Sequence, residues 1–291
     1  MKIKILSLFI NIGIYFGLML VAHAESPVWK VSKDGNHLYI GGTIHLLGYN
    51  DYPLPNAFEE VYKNSQKLVF ETDISKTQDL EFQTKLQAAM KYNDGSKLKD
   101  HLKPETYRIL EDYLKTLKIP IDAFEDFKPG MVSMTLSVME LHRLGINGAG
   151  VDLFYNSKAV EDHKSLGKLE TAEQQLSFLK QMGAGDPDEF ILYTLREMKT
   201  LASTFNTMKE AWRKGDMDKM TEIGIDPLKE FPETYQMILV ERNKAWVPQI
   251  EAMLKTKEIE MILVGSLHLA GEDSVLNLLK GLGYKVELFE K

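Results

Sequence analysis

Two pentapeptides near opposite ends of the chain, Gly42-Thr43-Ile44-His45-Leu46 and Gly265-Ser266-Leu267-His268-Leu269, are one motif under conservative exchange. Each follows an apolar run, Leu38-Tyr39-Ile40 in the first case and Met261-Ile262-Leu263-Val264 in the second. Short runs of this kind read as buried strands. The glycine permits an irregular exit from the strand and lets another backbone or a ligand come close. The histidine then falls just past the carboxyl end of its strand, where open α/β sheets bind ligands. If the two strands are neighbours, both imidazoles meet in one crevice. A single histidine in such a place is as readily structural as functional. Two identical strand-end contexts, separated by most of the chain, are hard to attribute to packing alone.

The remaining pattern supports an α/β fold with a mixed sheet and a large helical insertion. Runs at 28–31 and 37–43 flank the turn Asp34-Gly35-Asn36 and predict a β-hairpin. A helix is expected over 55–64, then a strand at Lys67-Leu68-Val69-Phe70 that ends on Glu71-Thr72-Asp73. Segments near 76–92, 104–117, 130–144 and 150–162 have apolar residues at helical spacing. A short strand is expected over 165–169, and Thr171 is placed to cap the next helix, with acids in its first turn. From about 186 to 255 the pattern is again helical, broken near Gly215, Pro227 and Pro232. The end reads as strand 260–264, helix 272–281 and strand 284–289. No linker rich in Pro, Gly or Ser divides the chain, so residues 25–291 are expected to form one domain with the insertion at about 76–255.

The first residues bear on the compartment. Lys2 and Lys4 precede an apolar run over 5–22, and Ala22-His23-Ala24 places small residues where a signal peptidase reads. Residues 1–24 are therefore expected to be a signal peptide cleaved after Ala24, giving a periplasmic or secreted protein with no stable membrane span. The other reading is an uncleaved anchor, since the run is just long enough to span; Asn11 within it favours cleavage. The whole chain has 35 Lys+Arg and 42 Asp+Glu, a net charge of −7, and the leader would remove two lysines and no acids. That acidic balance argues against nucleic acid as a partner. There is no cysteine, which excludes disulfides, thiol catalysis and cysteine-ligated zinc. The stability of an exported chain must then come from a substantial core.

Carboxylates occupy places equivalent to the histidines. Glu71 follows one predicted strand and Glu170 another. Imidazole with carboxylate suits zinc, manganese, cobalt or iron, and an open coordination position would hold a water of lowered pKa. Each acid has a plainer reading as well: a capping or salt-bridged acid for Glu71, and compensation of the helix dipole for Glu170. Asp152 follows Gly150 and reads as a ligand, as an orienting partner for a histidine or, most simply, as a helix cap. His101, His142 and His163 lack strand-end context. Trp212 and Trp246 sit on predicted helices and read as packing residues. The chain contains no H-E-x-x-H, G-x-S-x-G, P-loop or G-x-G-x-x-G.

Taken in order, Gly41-Gly42-Thr43-Ile44-His45, Phe70-Glu71-Thr72, Gly150-Val151-Asp152, Leu169-Glu170-Thr171 with Glu173-Gln174, Arg242-Asn243 and Val264-Gly265-Ser266-Leu267-His268 resemble the TraB/GumN family over nearly the entire mature chain. The family is grouped with the Tiki metalloproteases and, more distantly, with erythromycin esterases and ChaN-like proteins. The resemblance implies a shared α/β scaffold with paired G-x-x-H histidines and a glutamate at the active centre. His45, His268 and Glu71 match those positions and become the expected ligands of a divalent ion, manganese or cobalt by resemblance. Arg242 matches a basic residue of the family and is expected to stabilise an oxyanion, with Asn243 beside it in support. Glu170 or Glu71 would serve as general base. The expected activity is a metal-dependent hydrolase, a peptidase by similarity to Tiki, acting on a peptide or small molecule. Two alternatives stand beside it: an esterase-like hydrolase without metal, and a binder of peptide, haem or metal without turnover.

Overall fold

The computed structural model describes residues 26–183 and 185–290, so the expected signal segment and its cleavage point lie outside the described residues. Among the described residues eight strands are present: β1 (Val28–Lys33), β2 (Asn36–Thr43), β3 (Leu46–Leu47), β4 (Lys67–Phe70), β5 (Gly148–Ala149), β6 (Ser165–Lys168), β7 (Glu260–Gly265) and β8 (Lys285–Leu288). Six of them build one mixed sheet in the order β6-β4-β7-β2-β1-β8. The four strands β6, β4, β7 and β2 run parallel, and β1 and β8 pair antiparallel at the other edge. β2 and β7, the two strands that end in the twin motif, are direct neighbours with Thr43 opposite Gly265.

Alternation along these strands feeds two cores, one on each face. Tyr39, Leu68, Phe70, Met261 and Leu263 pack with Phe58, Tyr155 and Trp212 on one face. Leu38, Ile40, Val69, Ile262 and Val264 pack with Trp246, Ile250, Leu276 and Leu279 on the other. Strands buried on both sides explain why β4 and β7 read as continuous apolar runs. Helices Pro104–Thr116, Pro129–Arg143 and Pro187–Met198 form a separate apolar cluster, with Leu110, Leu114, Val132, Leu136 and Ile191 fully or almost fully buried. The middle of the chain thus supplies a helical layer with its own core.

Several local features differ from the sequence reading. The helix expected over 76–92 is two, Ile74–Gln78 and Leu80–Ala89, with Asp79 in extended conformation between them. Neither buries a residue, and so the apolar spacing there serves a crevice rather than a core. Helix Val275–Gly281 starts later than 272 because Ser274 caps it, accepting from Asn277 N–H. β8 starts one residue later than expected, at Lys285, and pairs with β1. Two π-helical turns, Thr221–Ile225 and Gln236–Val240, interrupt the helices that precede β7. Among the described residues no helix is long and apolar enough to cross a membrane.

Candidate functional site

Each of the four parallel strands delivers one polar side chain beyond its carboxyl end. Across the sheet these are Glu170 after β6, Glu71 after β4, His268 after β7 and His45 after β2. The parallel pairing of β4 and β6 continues past their ends, with Glu170 N–H donating to Glu71 C=O at 2.8 Å. Two carboxylates are therefore carried side by side. The bend that follows β2 is held from two directions. The Trp212 indole donates to Gly42 C=O at 2.7 Å and the Ser266 hydroxyl to Thr43 C=O at 2.8 Å.

Arg242 enters from helix Glu241–Met253, whose face also carries Asn243 and Trp246. Its Nε donates to Glu170 Oε1 at 2.8 Å, and its Nη2 donates to Glu170 Oε2 at 3.0 Å and to Glu71 Oε2 at 2.6 Å. Its Nη1 donates to Ile238 C=O and to His268 Nε2, both at 3.1 Å. A guanidinium has five N–H donors, and here all five are engaged within the protein. Arg242 was expected to steady an oxyanion. The observed geometry leaves it no free donor, and it instead locks two glutamates and a histidine in place. The plainer reading of Arg242 as a helix-surface residue does not hold either, because its side chain is only 11% exposed.

Glu170 is 6% exposed. Besides Arg242 it accepts from the Trp246 indole at 2.8 Å. Neither a first-turn dipole role nor a free base role matches that saturation. Thr171, as expected, caps helix Ala172–Gln181 and accepts from Gln174 N–H at 3.1 Å. Glu71 accepts from Gly265 N–H at 2.6 Å through Oε1 and also meets Gln175 at 3.3 Å. Burial alone would raise the Glu71 carboxyl. The flanking imidazoles, the Arg242 guanidinium and the Gly265 N–H outweigh it and hold the group down at about 2.

The two histidines have opposite characters. His268 is 5% exposed. Asn243 donates to Asp273 C=O through its amide nitrogen, so its oxygen accepts from His268 Nδ1–H at 2.6 Å. That fixes the tautomer: Nε2 carries the lone pair, and Arg242 donates into it. Burial, aided by Arg242 and His45 against the pull of Glu71, pushes the ring down to about 3 and keeps it neutral. His45 lies at the crevice mouth with 66% of its side chain exposed. The crowding of its ring by protein atoms works against protonation. The hydrogen bond and charge of Asp152, at 3.2 Å from Nδ1, prevail together with the charge of Glu71, and its pKa rises to about 9. Solvent in the open crevice screens these charges.

Asp152 is thus the partner of a histidine and not a helix cap; the cap position belongs to Gly150. A Cβ on Gly150 would overlap the carbonyls of Ile44 and His45. This close approach lets Val151 N–H bond Ile44 C=O at 3.1 Å, and the next residue, Asp152, reaches the ring.

The expected ligand set can be tested against this arrangement. A Cβ built on Gly265 would lie 3.2 Å from Glu71 Oε1 and 3.7 Å from both His45 Nε2 and His268 Cδ2, so the three side chains do surround one point. Yet the lone pair of His268 and one oxygen of Glu71 are both taken by Arg242. Among the described residues no group of three or more His, Asp or Glu is arranged to hold a metal ion. A divalent ion does not fit the donor set as it stands, because a guanidinium occupies its side of the site. What the site offers chemically is an ionised glutamate, a neutral histidine and an exposed Asp–His pair facing open space.

Residues to which the sequence assigned no chemical role complete the walls. Thr43 and Thr72 are buried and their hydroxyls have no partner, as is true of Asp152 Oδ1. Gln175 reaches Glu71 from helix Ala172–Gln181. Trp246, expected only to pack, also donates to Glu170 and lies 4.4 Å from the His268 ring. A lone Thr, Gln or Trp carries no pattern from which such a role could be read. His101, by contrast, is exposed, stacks on Tyr92 and lines neither side of this crevice, in line with the sequence reading.

The chain is similar to the uncharacterized protein YbaP of Escherichia coli (strain K12), with 26% identity over 263 residues, 89% of this chain and 94% of that protein. The uncharacterized protein YbaP of Shigella flexneri matches with the same identity and coverage. No solved structure matches the chain. The sequence model of the TraB/PrgY/gumN family matches residues 27–288, a span that includes every strand of the sheet and all the residues of the crevice, and the chain belongs to that family.

Proposed function

We propose that the protein is an exported hydrolase in which the His45–Asp152 pair activates water against a carbonyl held in the crevice, with peptide bonds as the target. One observation carries this reading: His45 is tied through Nδ1 to Asp152 at 3.2 Å, and its Nε2 lies on the Glu71 side of an open cavity. With Nδ1–H directed at Asp152, the Nε2 lone pair of the neutral ring is free to take a proton from water as the oxygen attacks the carbonyl carbon. The imidazolium so formed is stabilised by Asp152 and by the nearby charge of Glu71. It then returns the proton to the leaving nitrogen as the C–N bond breaks. Arg242, Glu170, Asn243 and His268 act through Glu71 as positioning residues.

The test is hydrolysis of a mixed peptide library by the purified protein, with His45→Ala and Asp152→Asn alongside. Loss of general base catalysis should lower turnover by about 10²–10⁴-fold. Undiminished cleavage by His45→Ala would sink the mechanism.

The convergence of Glu71, His268 and His45 around Gly265, together with the likeness to Tiki, supports a second reading with a resident manganese, cobalt, zinc or iron. Such an ion, held by His45, His268 and Glu71, would supply Lewis acidity and an activated water. It requires Arg242 to leave His268 Nε2. About one ion per chain by elemental mass spectrometry, lost on His45→Ala/His268→Ala, would favour this reading over the first.

A further inference from the structure

Two chambers of different character open from the shared wall of Thr43, His45 and Glu71. The first, of about 400 Å³, lies beneath helices Ile74–Gln78 and Leu80–Ala89, and its polar lining is uncharged apart from Glu71, His45 and Asp152. Gln78, Gln83, Gln175 and Thr77 supply amide and hydroxyl groups there. The second, of about 280 Å³, lies beyond Arg242 and His268. Apart from the site residues and Ser266 its lining is aliphatic: Met208, Met220, Leu228, Ile238, Leu239 and Leu267 are its main contributors. The second π-helical turn contributes Ile238 and Leu239 to this wall, and Met220 stands immediately before the first. Turns of this type occur often at functional sites, because the extra residue re-aims side chains.

The amide and hydroxyl groups of Gln78, Gln83, Gln175 and Thr77 in the first chamber can both donate and accept, as a peptide main chain with one N–H and one C=O per residue requires. Beyond the site residues, which include Glu71 and Arg242, the wall of the second chamber is aliphatic, and an apolar side chain packs there without the desolvation cost that a charge would meet.

Resting on the hydrolase reading above, we infer that the substrate is a peptide with a Leu- or Met-like side chain beside the cleaved bond. The aliphatic chamber takes that side chain, and the amide-lined chamber takes the main chain on the other side of the bond. Leu228 and Ile238 are half-buried at the chamber wall, where they are the residues that set selectivity.

The experiment is a set of quenched fluorescent peptides, identical but for one residue (Leu, Met, Ala, Asp or Lys) next to the bond, incubated with the purified protein. Leu and Met should exceed Ala in kcat/KM by roughly 10-fold or more, since a hydrophobic pocket discriminates about 10-fold or more for each methylene. Asp and Lys should be poorer still. Leu228→Glu should turn the preference toward Lys, and Met208→Trp, which fills the chamber, should turn it toward Ala. Cleavage indifferent to that position, or a preference that neither variant moves, overturns this inference and leaves the hydrolase standing. No cleavage of any peptide overturns both.

Discussion

Nη1 of Arg242 donates to Nε2 of His268 at 3.1 Å, while Asn243 holds the other ring nitrogen at 2.6 Å. Both nitrogens of this buried histidine are thereby engaged, and the place where an ion would bind it is filled by a guanidinium. Chelation should therefore leave peptide cleavage and thermal midpoint unchanged. A loss of activity on chelation, restored by manganese or cobalt, would instead show that Arg242 moves aside for an ion.

Arg242 bridges Glu71 and Glu170, both almost fully shielded from water. Removing one partner of a buried ion cluster leaves uncompensated charge and costs about 3–5 kcal/mol. Arg242→Ala should lose stability of that order in urea denaturation. Arg242→Lys should recover only part of it, because an ammonium cannot present two parallel donors to Glu170. A substitution that costs under about 1 kcal/mol would mean the bridge is open in solution.

Acid should destabilise the protein through the same cluster. The Glu71 carboxyl titrates near 2 in the folded chain against a usual value of 4.5. Its contribution is complete above the unfolded value and is lost as pH falls from about 4.5 toward 2. That difference corresponds to an order of 3 kcal/mol. His268, pushed down to about 3 from 6.5, adds to the loss below 6.5, since the unfolded chain takes up the proton that the folded ring refuses. Urea midpoints measured between pH 7 and pH 3 should fall for the wild type and fall less for Glu71→Gln.

His45 should titrate above its ordinary 6.5 in the metal-free protein, toward 9, because Asp152 stabilises its charged form. Proton NMR of the ring signals checks this directly. Asp152→Asn should bring the value back toward 6.5. If His45 is the base, kcat/KM of the wild type rises with pH up to that folded pKa, whereas the rise in Asp152→Asn comes at lower pH with a lower plateau. An unmoved His45 titration in Asp152→Asn would remove Asp152 from the mechanism.

Gly150→Ala should be more damaging than its small size suggests. The added methyl would overlap the carbonyls of Ile44 and His45, so helix Val151–Glu161 must shift and carry Asp152 away from the ring. A displacement of about 1 Å can cost on the order of 10²-fold in turnover. Circular dichroism should show the fold retained, which separates misplacement from unfolding.

Much of this site lies in local patterns. The strand-end positions of His45, Glu71, Glu170 and His268 follow from apolar runs and their terminating residues, and the cap at Thr171 from the residues that follow it. Local signals failed where they met a neighbour distant in sequence. Asp152 has the look of a first-turn acid, and its actual partner lies 107 positions away. The apolar spacing over 76–92 suggested one helix, yet the chain breaks at Asp79 and Phe82 and Leu86 line a crevice.

The sequence by itself determined which residues stand at strand ends, because strand and cap propensities act over a few neighbouring residues and leave a periodic trace. Only the tertiary structure decided that β6, β4, β7 and β2 lie in that order, so that their four polar side chains converge on one edge. It also decided that Arg242 exhausts its donors on residues 71, 170, 238 and 268. Strand neighbours and hydrogen-bond saturation join segments far apart in the chain, and no local spacing encodes them; they are set when the whole sheet and the helix across it bury their shared core.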